Sequence, residues 1–371
     1  MDHDARRLGV EEELLLVDPD DGRPLGLAAP VREAGEDLDG EMRAEQVETG
    51  STPHDDADAL AHDLLTRRRD AAEAAASQGA AVAGLATSPV GPDPLRPPPG
   101  RYGRILERFG PIASEQLTNG QHVHVEIASR EEGVGVLDRI GPWLPVLRAI
   151  SANSPFWRGD DTGHASYRSL VWARWPSAGP TPVFGGPEAY EASVAAMIAT
   201  GTVLDEGMVY FDARLAASYP TVEVRVADVA GEVEEAVVVA LLARALVETA
   251  ARGWAAGEPP TSAPVEALRL AHWRAARSGC VPGHDTEAGL LVDPRTGRPA
   301  EAGAVVHALL EHVADALGPD AARVRAGCAQ VLAGATGAAR QRRVFTEAGG
   351  HTGNGTRAVA LDAAARCAPR P

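Results

Sequence analysis

The sequence predicts an α+β fold, one mostly antiparallel sheet covered by helices on one face. Three observations carry this expectation. Residues 8–17, 119–127 and 220–229 contain apolar and charged side chains distributed at the two-residue period of a half-buried strand. Ala- and Leu-rich segments with helical spacing fall between and after them. The strands adjoin turn signals instead of alternating regularly with helices, which favours antiparallel pairing.

In chain order, LGVEEELLLV (8–17) reads as the first strand and DPDDGRP as the turn after it. A second short strand is expected over MRAEQVET, residues 42–49, ahead of Pro53. Asp55 to Gln78 carries its acids early and its arginines later and stops at Gly79, so it reads as a long helix. The TRRRD run at 66–70 is expected on its solvated face. AAVAGLATSPV follows as another strand, and GPDPLRPPPG (91–100) as a rigid proline loop at the surface. NGQHVHVEI (119–127) opens on a turn signal and then alternates strictly.

Helices are expected near 133–151 and 187–200. Between them lies SPFWRGDDTGHASYRSLVWARWPSAGPTPVFGG, a long aromatic and arginine-rich connection of the kind that is usually functional. Within it Trp175 reads equally well as a loop anchor or a substrate cover, whereas Tyr167 and Trp172 are expected to serve packing. PTVEVRVADV (220–229) is the last alternating strand, and helical Ala/Leu/Val patterns dominate 231–346. No linker forces a division of the 371 residues. A single domain over 1–371 is expected, with its motifs in 8–230 and a helical part in 231–371.

Composition narrows the function. A net charge of -17 argues against a nucleic-acid surface or an anionic membrane as partner, since both require clustered positive potential. All 35 basic residues are arginine. Without lysine there is no Gly-Lys-Ser/Thr phosphate loop and no Schiff base to pyridoxal phosphate. Cys280, Cys328 and Cys367 are widely spaced and odd in number, as free thiols of a reducing compartment would be. MDHDARRLG has no apolar leader character, and no run approaches the ~20 apolar residues of a membrane span. A cytoplasmic protein is expected.

Splitting the strands by face exposes the candidate site. Val10, Leu14 and Leu16 point one way, Glu11 and Glu13 the other; Val123, Val125 and Ile127 oppose His122, His124 and Glu126; Val222, Val224 and Val226 oppose Glu223 and Arg225. Taken singly, each charged set is an ordinary solvated strand face. Together, on one sheet, they make a concave acidic surface. Glu11 and Glu13, ~7 Å apart along a strand, can flank metal ions, and carboxylates with an occasional imidazole suit Mg2+ or Mn2+ better than zinc. Such a site points to phosphoryl transfer on a nucleotide. Amidohydrolases also use His-x-His, but often with a carboxylated lysine that this chain cannot supply. A zinc hydrolase would want a further His or Asp cluster, and His164 and His351 read as loop residues. Glu12 is left facing the apolar side, where it needs an arginine, a hydrogen bond or an edge position.

GVEEELLLVDP, VETGSTP, NGQHVHVEI, ANSPFWRGDDTGHASYRSLVWARWPSAGP and TVEVRVADV, in that order, resemble the carboxylate-amine ligases of the glutamate-cysteine ligase type 2 family. The resemblance covers residues 8 to about 230 and thins beyond, where GAARQRRVF (337–345) is only suggestive. It implies a glutamine-synthetase-like catalytic sheet whose open face is an acidic funnel for Mg2+ and ATP. On the matching positions it implies metal ligands at Glu11, Glu13, Glu48, His122 and Glu223, and a phosphate-facing Arg225. It also implies a substrate or phosphate contact at Arg168. The nucleotide is expected against Arg225, His122 and His124. The implied reaction joins a carboxylate, typically the γ-carboxylate of glutamate, to the amine of cysteine or another amino acid through an acyl phosphate. A homodimer is a reasonable expectation for such an enzyme. A catalytically silent binding relative and a metal-dependent amide hydrolase are the competing readings.

Overall fold

The structure is a computed structural model that describes residues 5–91, 100–261, 263–281 and 289–368. The expected proline loop lies, apart from its two ends, outside the described residues.

Among the described residues the main sheet has seven strands: β1 (Leu8–Val17), β2 (Leu38–Gly40), β3 (Gln46–Gly50), β4 (Ala81–Ala83), β5 (Gly120–Glu126), β8 (Ala213–Leu215) and β9 (Thr221–Asp228). Their order is β2-β3-β1-β5-β9-β8, with β4 continuing the β5 edge of β1, and every pairing is antiparallel. A two-stranded ribbon of β6 (Phe156–Trp157) and β7 (Asp160–Asp161) lies within the long aromatic connection. Another, of β10 (Leu290–Asp293) and β11 (Arg298–Glu301), interrupts the C-terminal part that sequence patterns render as helical. Its turn, DPRTGR, places Gly297 at φ +67°, and four-residue strands are too short to register as alternation.

The helices that position the sheet are α1 (Ala28–Ala34), α2 (Ala57–Ser77), α3 (Gly100–Phe109), α4 (Pro111–Ser114), α5 (Arg130–Ile140), α6 (Leu144–Ile150), α7 (Tyr167–Trp172), α8 (Pro187–Ala199) and α9 (Val233–Ala255). They are followed by α10 (Val265–Ser278), α11 (Ala302–His312), α12 (Ala314–Leu317), α13 (Ala321–Leu332), α14 (Gly337–Glu347) and α15 (Asn354–Cys367). The long helix α2 starts where Asp56 accepts a hydrogen bond from the Ala59 N–H and ends before Gly79 at φ +77°. The 23-residue α9 opens on a reciprocal Glu232–Glu235 capping box. No described helix is long and apolar enough to cross a membrane.

Leu8, Val10, Val123, Val125, Val222, Val224 and Val226 pack beneath the sheet against α2, α5, α6 and α9, and Leu14, Leu16 and Val47 extend this layer onto α1. The opposite face changes character along β1. Glu11 and the more buried Glu13 line a cavity, but Leu15 and Val17 are sealed under Val359, Ala360 and Ala363 of α15. Helices therefore cover one face throughout and the other at one end.

Several local expectations shift. The strand expected over 42–49 begins only at Gln46, because Arg43 turns the chain, its side chain pairing with Glu45 and its carbonyl accepting from the Gln46 N–H at 3.2 Å. The strand expected from Ala80 shortens to Ala81–Ala83 because Gly84 abuts the Ala230 carbonyl, where a Cβ would stand 2.4 Å from the oxygen. The TRRRD run is not uniformly solvated: Arg68 is fully buried and clasps Glu12 with two hydrogen bonds of 2.8 and 2.6 Å. The same guanidinium donates to the carbonyls of Ala230, Gly231 and Cys367. Glu12 thus has the arginine its position requires.

Candidate active site

Strand register assembles the site from residues distant in sequence. Glu13 stands opposite Glu48, Glu11 opposite His122, His124 opposite Glu223, and Glu223 opposite Arg214. Residues paired across antiparallel strands project to the same face, so one row of charged groups crosses β3, β1, β5, β9 and β8. The β5–β9 ladder slips by one residue between Gln121 and Val123, so two residues of β9, Arg225 and Val226, stand opposite His122. Arg225, two residues beyond Glu223 and so on the same face, stands at this bulge and donates a hydrogen bond to Glu223.

Two three-residue groups form along the row. Oxygen atoms of Glu13, Glu41 and Glu48 lie within 4.8 Å of one another, as do ligand atoms of Glu11, His124 and Glu223. His122 stands between them: Nδ1 is 3.3 Å from Glu11 and 3.8 Å from Glu223, and Nε2 is 3.9 Å from Glu13. His124 Nε2 is 3.2 Å from Glu11, and its Nδ1 is 3.1 Å from the Thr221 hydroxyl.

The two groups differ electrostatically. Burial, reinforced by repulsion from Glu41, raises the Glu48 carboxyl well above the usual range and Glu13 to about 7. Burial would also raise Glu11, but hydrogen bonding to His122 and His124 outweighs it and holds Glu11 well below the usual range. Glu223, buried yet flanked by Arg225 and Arg214, falls to about 2. His122 falls to about 4 through burial and the nearby Arg225 cation. Without a cation, Glu13 and Glu48 therefore tend to hold protons, and the Glu13–Glu41–Glu48 donors are all hard oxygens. That donor set fits a hard divalent cation such as Mg2+ or Mn2+.

Above the row lies a cavity of about 320 Å³. Arg101 of α3 makes two 2.7 Å hydrogen bonds to Asp205, tying α3 to the 205–210 segment; both contribute to the cavity wall. Tyr102, Tyr210, Trp172 and Trp175 supply aromatic surface. Trp175 is both a buried anchor, edge-on to Phe109, and a lining residue; Trp172, expected only to pack, also lines the cavity. Arg225 lines it as well, its cation 5.9 Å from the Trp172 ring.

All the expected site residues except Arg168 line this cavity. Arg168 is buried on the same face as the row, in the space that Gly120 leaves by lacking a side chain: a Cβ there would lie 2.1 Å from Arg168 Nη2. Burial lowers the Arg168 pKa, and buried Asp228 and Glu13 oppose that shift. His164 and His351 lie in loops away from the cavity. Glu41, Arg214, Tyr102 and Tyr210 escape sequence reasoning. Glu41 sits in the acid-rich turn between β2 and β3 with no periodicity to single it out, and Arg214 sits in a three-residue strand.

The open face of this antiparallel sheet thus gathers carboxylates, imidazoles and two arginines, Arg214 and Arg225, on a glutamine-synthetase-like fold. The fold is shared with a glutamate–cysteine ligase from Francisella tularensis, solved in complex with AMP, at a TM-score of 0.71 and 12% identity over 99% of this chain and 90% of that one. The model of glutamate-cysteine ligase family 2 matches residues 7–360. A protein of Streptomyces avermitilis provisionally named glutamate–cysteine ligase 2-1 is 48% identical over 93% of this chain and 96% of its own. A provisionally named glutamate–cysteine ligase 2 of Streptomyces coelicolor is 49% identical over 93% and 95%. The chain belongs to glutamate-cysteine ligase family 2 and is a carboxylate–amine ligase. The likeness carried by motifs in residues 8–230 extends through the helical C-terminal part.

Proposed function

We propose that the chain is an ATP- and Mg2+-dependent ligase that joins the γ-carboxylate of glutamate to a small-molecule amine. The carboxylate attacks the γ-phosphorus of ATP, releasing ADP and forming an acyl phosphate. The amine nitrogen then attacks the acyl carbon; the C–N bond forms, the bond to phosphate breaks, and phosphate and one proton leave. Glu13, Glu41 and Glu48, and Glu11, His124 and Glu223, would hold Mg2+, which when bound supplies positive charge against the triphosphate and the incoming carboxylate.

The residues of the chain have separate tasks in this reading. Arg225 stays protonated, because its neighbour Glu223 more than offsets the cost of burial, and presents a fixed cation to the cavity. His122, neutral near pH 7, bonds to Glu11 and fixes its orientation without adding charge. Arg214 holds Glu223 from the other side through a 2.6 Å hydrogen bond. Trp172, Tyr102 and Tyr210 exclude water from one side of the cavity, which protects an acyl phosphate from hydrolysis.

The observation that carries this reading is the Glu13–Glu41–Glu48 group, three carboxylates with oxygen atoms within 4.8 Å of one another, where burial and mutual repulsion disfavour the bare anions and a divalent cation would relieve both. The test combines two readouts. In the wild type, ADP release should require Mg2+, glutamate and an amine together, and Mg2+ with ATP should raise the thermal midpoint. Glu41→Gln should melt no lower than wild type without metal, having lost one repulsion, while losing most of the Mg2+-dependent rise and at least ten-fold in kcat/KM. Absence of amide product with every amine, or a Glu41→Gln protein that responds to Mg2+ like wild type, would overturn it.

A further inference from the structure

Helix α8 is apolar over most of its length yet buries only Tyr190. Val194 and Ile198 are half-buried, and Ala195 and Ala199 are exposed. These residues face a second cavity of about 680 Å³, whose wall also includes Tyr190, Val209 and Leu215. Two of its polar groups are already engaged: Tyr190 Oη accepts from the Leu215 N–H at 3.2 Å, and Arg214 is held by Glu223 and the Val209 carbonyl. Its other charged groups are Glu206 and the pair Arg130 and Glu191, joined at 3.1 Å and about half-exposed.

This second cavity adjoins the catalytic one. Gly207, Arg214, Ala216 and Ala217 line both. Three of the four carry no side chain larger than a methyl. Arg214, the fourth, points its guanidinium to Glu223 in the catalytic row, leaving its aliphatic stem at the junction. Its volume lies in the range of small-molecule sites, roughly 300–1,000 Å³, and far exceeds what the single thiol-bearing carbon of cysteine would fill.

We infer that the second cavity receives the apolar part of the amine acceptor, and that the preferred acceptor is an amine with a long aliphatic or aromatic side chain. This rests on the ligase reading. The amine nitrogen stays in the catalytic cavity, and the side chain crosses the junction past Ala216 and Ala217 to lie on α8. Each methylene buried there should raise kcat/KM about four-fold.

The experiment compares alanine, 2-aminobutyrate, norvaline, norleucine and phenylalanine as acceptors, with glutamate, ATP and Mg2+, read by ADP release and by the mass of the amide. In the wild type, kcat/KM should climb at least ten-fold from alanine to norleucine or phenylalanine. Ala195→Trp and Ala199→Trp fill the cavity from exposed helix positions that the fold tolerates. They should abolish the climb, cutting the long acceptors at least ten-fold while leaving alanine unchanged. A flat or falling series in the wild type, or variants that slow every acceptor equally, would overturn the inference while leaving the ligase reading intact. Light scattering covers the other occupant of an apolar face: if Ala195→Trp breaks a dimer and leaves acceptor preference untouched, the face belongs to a second copy of the chain and the inference fails. No turnover with any amine sinks the ligase reading and this inference with it.

Discussion

Glu12 and Arg68 are both fully buried, bonded to one another through two contacts, with three backbone carbonyls taking up the remaining guanidinium donors. Removing one partner strands a charge in a medium that cannot solvate it. Arg68→Met should therefore cost about 3–5 kcal/mol, read as a lower urea midpoint, and Glu12→Leu combined with Arg68→Met should recover a large part of that loss. If the double variant is no more stable than Arg68→Met alone, the pair is not the source of the effect. Glu12's need for a partner is legible in the strand pattern, since it shares a face with Val10 and Leu14. Which arginine answers it is not, because TRRRD looks the same whether one of its residues turns inward or none does. Glu41 is opaque for a similar reason: in a turn, no period distinguishes a ligand-like carboxylate from its acidic neighbours.

At the scale of the element, alternation made the faces of β1, β5 and β9 readable, and those faces hold most of the candidate site. Register and bulges are set by pairing partners far away in sequence, so the row that joins Glu48 to Arg214 becomes visible only when the strands are placed side by side. The short strands β2, β4 and β8 offer three residues each, too few to show a period. Gly120, at the start of β5, has a consequence at this scale. A methyl there would collide with Arg168, so Gly120→Ala should push that guanidinium aside. The expected result is a loss of about 1–3 kcal/mol in stability, with kcat reduced in the fraction that remains folded. Wild-type stability and kcat in that variant would show that the contact yields freely.

Over the whole molecule, the C-terminal helices brace the sheet through buried polar groups as well as apolar ones. His272 of α10 lies 3.2 Å from Asp212, which accepts from Arg148 of α6 at 3.1 Å. Burial and the Arg148 cation push the His272 pKa down to about 3. A histidine depressed in the fold and near 6.5 when unfolded favours folding fully above pH 6.5, and that contribution drains away as pH falls from 6.5 toward 3. Comparing urea unfolding at pH 7.5 and pH 4.5 should show the wild type losing more stability than His272→Asn; equal losses would remove His272 from the acid response. The overall α+β arrangement was legible because the amphipathic strands and long helices are strongly patterned. The C-terminal ribbon, the sealing helix α15 and the second cavity were not, since each depends on what packs against it.

Strand β1 runs from a wet half to a dry one within ten residues, its outward face passing from Glu11 and Glu13 to Leu15 and Val17 beneath α15. Amide exchange should record that gradient along a single strand. The N–H groups of residues 14–17, shut between two apolar layers, should exchange only on global unfolding, whereas those of 10–13 should open in smaller fluctuations that Mg2+ and ATP suppress. Uniform protection along β1, unaltered by ligand, would mean that the open end is as rigid as the sealed one. A graded profile would make this strand a built-in gauge, reporting occupancy at one end against a fixed internal standard at the other.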